Sequence, residues 1–562
     1  MRIFATSRGL DPRALVAGRD LVLEADEAHG LDLAPGVLAH DYLDQDVRLE
    51  IDDACPDVLD RWAALSADRY TSGGVCLPFV WEYELFAGTV LPLLCHGLGV
   101  KRAIESHRPD SISVVDACPL TRQVVSVAWS GPIRVAGLRS PPSAGAERAR
   151  PPLLTRARRA ALRALVGVGT PTVLRRDSVL VLGYWHLMPL LDRMLAEPGW
   201  RPAISLGKPA VGPLRNLRAC LQGGWLGTPS PRDRARAHQR ARAMIEAAAA
   251  SPVPSLEALG LTLGGALHER TLEIARRRLA TDLAWAASAR RAFSRGGARR
   301  LVLPSDTPPD SRLITLIAQE AGVPSLMFQH GVFLLGQPDR EGELCDDVAA
   351  WSSPDRWLRR HAFRHPAHVV GFPLPHEPLP VKRWNDQRAP RIVVLGAGAD
   401  PLTARLDDRM PMRHYQAALE AVAERLPAAT VVLRPHPSHD ISAAARILER
   451  FAGHRIEVDR SSDILDLLRS GDLCVGVAST ATVQSALVGT PVVVLNVFGF
   501  DWAWPLGGDS SVPVARSAPE LASWLARWAD GETLPGREDL LAALGVGRRD
   551  PTGELLQLVE TR

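Results

Sequence analysis

The chain has 562 residues, 46 % of them hydrophobic, and a formal net charge of +3. That length exceeds what one hydrophobic core supports and predicts three to four structural units. The apolar share excludes a disordered chain, and the near-neutral balance gives no global case for nucleic acid as a partner. Seven scattered cysteines (Cys55, Cys76, Cys95, Cys118, Cys220, Cys345 and Cys474) include no CxxC pair. An odd, dispersed set argues against a disulfide framework or structural zinc, and suits a reducing cytoplasm. The first residues lack an apolar stretch of signal-peptide length, and no window of about 18 uninterrupted apolar residues predicts a membrane-crossing helix.

Short β-branched runs alternate with alanine- and leucine-rich stretches, the rhythm of βαβ units with parallel sheets. Residues 1–138 read as a first α/β unit, with strands Arg2–Ala5, Leu21–Glu24, Ser111–Val115 and Ile133–Ala136 and a helix from Trp81 to about Leu98. It is expected to extend the sheet of the next unit. Residues 139–177 are rich in arginine and proline and read as a linker with a basic amphipathic helix, Arg139–Arg176. Such a helix is either a solvated connector or a contact with an anionic membrane surface.

Residues 178–375 form a second unit. Its strand Ser178–Gly183 leads to His186, and two long helices follow, about Arg232–Ala250 and Ala266–Phe293. The strand Arg300–Leu303 ends at Asp306, a helix of about Arg312–Ala321 precedes the strand Pro324–Gln329, and His368–Gly371 closes the unit. The proline-rich stretch Pro375–Pro390 reads as an interdomain crossing. Residues 376–530 form a third unit, with strands Arg391–Leu395, Thr430–Leu433, Arg455–Val458, Leu473–Val477 and Val492–Leu495. Residues 531–562 read as a helical tail.

Ligands of parallel α/β sheets sit beyond the carboxyl ends of the strands, so the loops there carry the chemistry. Gly396 and Gly398 follow one strand and permit close backbone approach to a ligand, or merely a tight turn. Arg434, Pro435, His436 and Pro437 follow another. The two prolines fix the backbone direction of His436, and Arg434 offers a planar, permanently charged fork that matches phosphate. The pair reads as a phosphate clamp; the alternative is a rigid turn with a surface histidine. Ser479, Thr480 and Thr482 stand where a strand turns into a helix, a place for an anion or for ordinary N-capping. An aromatic loop around Trp502 could stack a sugar or base, or pack in the core. In the second unit, His330 before Gly331 is the first candidate general base and Asp306 the second. His186 and Trp502 are candidates for the acceptor side. No carboxylate cluster has metal-ligand spacing, so no metal is expected.

These residues resemble the GT-B superfamily of glycosyltransferases. The resemblance rests on two Rossmann-like units, the His330-Gly331 turn, the Arg434–Pro437 stretch, the Ser479–Thr482 turn and the following Gly489-Thr490-Pro491-Val492-Val493. It covers about Ser178–Pro505. The nearest groups are bacterial surface- and capsule-polysaccharide glycosyltransferases and CDP-glycerol glycerophosphotransferases; nucleotide-sugar 2-epimerases share the architecture. The resemblance implies two facing Rossmann-like domains with parallel sheets plus an N-terminal α/β extension. It further implies that His436, Ser479 and Thr480 hold donor phosphates and that His330 is essential.

The expected activity is transfer of a sugar from a nucleotide-sugar, a co-substrate rather than a cofactor, to a hydroxyl of a glycan, lipid-linked or small-molecule acceptor. A CDP-polyol phosphotransferase, an epimerase and a non-catalytic scaffold are the alternatives. The expected setting is the bacterial cytoplasm or the inner face of the membrane. The acidic-acidic-glycine motif of bacterial sialyltransferases has no clear counterpart here.

Overall fold

The computed structural model describes residues 2–6, 20–24, 37–38, 45–109, 111–115, 119–129, 131, 133–136, 172–183, 187–205, 213–295, 297–332, 340–353, 367–373, 378–384, 388–396, 410–436, 445–497, 504–547 and 550–561. His186, Gly398, Trp502 and most of the Arg139–Arg176 segment lie outside the described residues.

Three mainly parallel sheets organise the chain, and in each the parallel strands begin in the middle and wind outward in both directions. In the third unit the order is Arg455–Val458, Thr430–Arg434, Arg391–Leu395, Leu473–Gly476, Val492–Leu495, Val514–Ala515. Numbered along the chain that is 3-2-1-4-5-6, all parallel. The inner strands are continuous β-branched and leucine runs because helices cover both faces. The second unit repeats the plan in an eight-stranded sheet. Its order is Ala367–Val369, Asp347–Ala350, Ser325–Phe328, Ala298–Leu303, Ser178–Val181, Pro202–Ser205, Gly224–Leu226, Val173–Leu174, with only the last strand antiparallel to its neighbour.

The first unit departs from expectation. It does not extend the second sheet but has its own five parallel strands, in the order Val37–Leu38, Asp20–Glu24, Arg2–Thr6, Ser111–Val115, Ile133–Ala136. The helix Gln45–Tyr70 buries a stripe of Ile51, Cys55, Val58, Leu59 and Trp62, one face at helical period. It packs on Leu91–His107 and on the helix Pro231–Ala250 of the second unit. Polar bonds lock this contact: Trp62 Nε1 donates to Thr271 Oγ1 at 2.8 Å, Trp81 Nε1 to Asp282 Oδ2 at 2.7 Å, and Arg312 Nη2 to Glu82 Oε2 at 2.9 Å. Both indoles are fully buried, and each contributes on the order of a few kcal/mol of apolar burial. The apolar cores of the first two units are continuous. Among the described residues one helical stretch, Glu82–His107, is long and apolar enough to cross a membrane, but 83 % of its most apolar window is buried inside the protein. None of the six described cysteines forms a disulfide.

The chain passes between the second and third units twice. On the way out, Leu379 N donates to Leu487 O and Lys382 N to Gly489 O, both at 2.8 Å. Gly489 has a φ of 71°, and a Cβ there would meet Pro380 O at 2.0 Å, so only glycine fits. The Lys382 ammonium caps the end of the helix Ile464–Ser470 through Gly471 O at 2.8 Å and Arg469 O. On the way back the expected tail proves to be a return. Phe372 N donates to Leu544 O at 2.8 Å, and the last helix, Pro551–Glu560, packs on Met188–Ala196 of the second unit. Arg193 and Asp550 fix it with an ion pair at 2.5 Å.

Candidate active site

The loops that leave the carboxyl ends of the second and third sheets meet. Val332 N, beyond the His330-Gly331 turn, donates to Thr480 Oγ1 of the opposite unit at 3.3 Å. Gly331 lies beside the same hydroxyl, since a Cβ there would stand in ordinary contact with it at 3.4 Å. The turn is set from below by Gln329, which is fully buried. Its amide donates to Gly331 O and accepts from Trp351 N, both at 2.8 Å.

His330 Nδ1 lies 2.8 Å from Glu341 Oε1 and 3.1 Å from Pro304 O. Both partners only accept, so the neutral ring carries its proton on Nδ1 and its basic lone pair on Nε2. Glu341 is nearly buried, with 8 % of its side chain accessible against 34 % for His330. At 2.8 Å the Glu341 carboxylate is a nearby charge that would balance a protonated His330, while the hydrogen bond that fixes the ring's tautomer is the one to Pro304 O. Nothing in the sequence flagged Glu341. It stands eleven positions further along the chain than His330, in a run without periodicity.

Asp306 is corrected. Its carboxylate is fully buried and accepts from Gly342 N at 2.8 Å, Leu344 N at 2.9 Å and Cys345 N at 3.3 Å. Burial raises its pKa above the ordinary carboxylate value even against these donors. It cannot reach an acceptor hydroxyl; it anchors the segment that brings Glu341 to His330.

In the third unit, Arg434 is also corrected. Nη1 pairs with Asp459 Oδ1 at 2.6 Å, and Nη2 donates to Ser462 O at 2.9 Å. Asp459 in turn accepts from Ser461 N and Ser462 N, each at 3.0 Å. The guanidinium therefore ties the loop after the next strand rather than standing open as a clamp. His436 is exposed, yet enough protein crowds its ring that desolvation lowers its pKa. Gly396 serves packing: a Cβ there would meet Tyr415 Oη at 1.9 Å.

Ser479 is the N-cap of the short helix Thr480–Gln484, accepting from Thr482 N at 3.3 Å. Thr482 is fully buried and donates to Val477 O at 2.6 Å. Of the three hydroxyls in this turn, Thr480 alone faces the opposite unit. Thus the structure brings together His330 and Thr480 and adds Glu341, while Arg434, Asp306 and Thr482 support backbone. Among the described residues no group of three or more His, Cys, Asp or Glu could hold a metal ion.

Two parallel sheets with converging carboxyl-end loops, a double crossing and a C-terminal helix returned to the preceding unit make this a GT-B-like α/β architecture. No family model matches the chain. No curated protein matches it. Among solved structures it is similar to MurG of Acinetobacter baumannii, at 13 % identity over 69 % of this chain and 100 % of that one, with a TM-score of 0.33. It is similar to S. aureus MnaA, solved with UDP, at 12 % identity over 68 % and 96 %, TM-score 0.41. It is also similar to the wall teichoic acid polymerase TagF, at 11 % identity over 72 % and 94 %, TM-score 0.38. The architecture rests on the sheets and crossings rather than on these scores.

Proposed function

We propose that the protein is a glycosyltransferase that moves a sugar from a nucleotide-sugar donor to a hydroxyl acceptor, in the making of a surface polysaccharide or glycoconjugate. The observation that carries this reading is the His330–Glu341 pair, held at the carboxyl edge of one sheet beside Thr480 of the other. An acceptor hydroxyl between the units loses its proton to His330 Nε2, and Glu341 balances the imidazolium. The acceptor oxygen bonds to the anomeric carbon as the bond from that carbon to the donor phosphate breaks. The nucleoside diphosphate leaves toward His436 and the Ser479–Thr480 turn. Donors positioned for charge that develops in the transition state are where most of the acceleration arises.

The test is thermal shift of the full chain with CMP, CDP, UDP, GDP and dTDP, followed by product analysis with the matching sugar nucleotide. A ligand specific to the folded state raises its apparent stability by mass action. A shift with one diphosphate, lost in His436→Ala, is expected. Release of CMP with transfer of a phosphate-bearing group would replace the reading with a polyol phosphotransferase. No shift with any nucleotide and no turnover would reject it.

A further inference from the structure

We propose that an arginine-lined cavity at the far edge of the second unit is a second anion site, built for a phosphate ester or diphosphate. The cavity, about 630 Å³, lies between the edge strand Val173–Leu174, the start of the helix Pro231–Ala250 and the end of the helix Gly264–Phe293. Four arginines line it, Arg232, Arg236, Arg291 and Arg295, against one carboxylate, Asp233. Asp233 is already engaged. Arg291 donates to both its oxygens at 3.0 and 2.6 Å, and the Ser230 hydroxyl donates at 2.5 Å.

Arg232, Arg236 and Arg295 have neither an ion pair nor a hydrogen bond among the described residues. Each guanidinium is permanently charged and exposed at the cavity, so three positive charges stand open to an incoming anion. A second observation points the same way. Ser288 lines the cavity and is 4 % exposed, yet its hydroxyl has no hydrogen-bond partner among the described residues. The oxygen itself is accessible, so this side chain opens onto the cavity and can donate to a bound ligand.

Planar guanidinium forks match phosphate oxygens two at a time, and three of them suit more than one negative charge. The volume falls in the ordinary range for a small-molecule site, about 300–1,000 Å³. The cavity is separate from the candidate active site. Arg295 precedes the strand Ala298–Leu303, whereas Pro304, which touches His330, follows it. Six residues of strand set these ends about 20 Å apart.

The test is calorimetric titration of the full chain with inorganic pyrophosphate. The proteins compared are the wild type, Arg232→Ala/Arg236→Ala/Arg295→Ala, Ser288→Ala, His436→Ala and a charge-matched control, Arg240→Ala/Arg276→Ala/Arg455→Ala. The triple cavity variant should lose about a hundredfold in affinity and Ser288→Ala severalfold, with unfolding temperatures unchanged. The control should bind as the wild type does, and His436→Ala, which weakens a diphosphate's hold at the active site, should keep the binding that the triple cavity variant loses. Sedimentation with phosphatidylcholine vesicles, with and without phosphatidic acid, then separates the sources. Capture by phosphatidic acid that pyrophosphate displaces marks a lipid headgroup; pyrophosphate binding without capture marks a soluble phosphate ester. Equal losses in the cavity and control variants, or no pyrophosphate binding by the wild type, would overturn the proposal.

Discussion

Replacing Glu82 by alanine removes one half of the ion pair that joins the first unit to the second. The pair is buried on both sides: 5 % of the Glu82 side chain and 2 % of the Arg312 side chain are accessible, at 2.9 Å. Arg312 also lies over the Phe79 ring, 4.0 Å from its centroid, so it cannot swing out to water without unpacking that ring. Glu82→Ala therefore strands a buried guanidinium, and losing one partner of such a pair costs roughly 3–5 kcal/mol. Glu82→Leu/Arg312→Met removes both charges and should recover most of that loss. Several units make a single global free energy ill-defined, so the readout is the unfolding transition in calorimetry that includes residues 45–107 and 264–293. At about 2–4 °C per kcal/mol for a unit of this size, Glu82→Ala should lower it by roughly 6–20 °C. A shift below about 2 °C, or separate melting of the two segments by hydrogen exchange, would refute the shared core.

His330→Ala should lower kcat by roughly 10²–10⁴-fold with nucleotide binding kept, and Glu341→Gln should lower kcat, with KM steady, by a smaller factor in steady-state assays. Arg434→Ala and Asp459→Ala should each weaken the third unit by about 1–2 kcal/mol in chemical denaturation and leave nucleotide affinity alone; a loss of affinity in Arg434→Ala only would return that arginine to the anion site. His414 is fully buried and donates from Nε2 to Leu395 O at 2.9 Å, and burial lowers its pKa from 6.5 to about 4. A depressed histidine stabilises above its unfolded value, so stability should fall by on the order of 3 kcal/mol as pH drops from 6.5 to 4. His414→Gln should flatten that part of the profile of melting temperature against pH.

The strands of the third sheet were legible almost residue for residue, because a strand covered on both faces is a continuous apolar run between turn signals. Arg391–Leu395 and Val492–Leu495 stand as the sequence predicts. The shortest edge strands were not. Val37–Leu38, Val173–Leu174 and Val514–Ala515 are two residues each, too short for any period. The helix Gln45–Tyr70 hid behind its acidic face and an internal proline, Pro56, although its apolar stripe is regular. Positions of candidate residues were legible, but their engagements were not. His330 and Thr480 lie in loops the alternation of elements could place. The bond from Arg434 to Asp459 and the contact of Glu341 with His330 join residues 25 and eleven positions apart, where local pattern is silent.

The two crossings between the second and third units have a mechanical meaning. A body tied to another at a single point can swivel in any direction, whereas one tied at two can only swing about the line that joins them. Leu379 at Leu487 and Leu544 at Phe372 are two such ties. The third unit is thus held like a door on two pins, and a swing about them would open or shut the gap between His330 and Thr480. Cutting the chain after Asp530 would remove one pin and leave the door hanging loose, with its latch out of register.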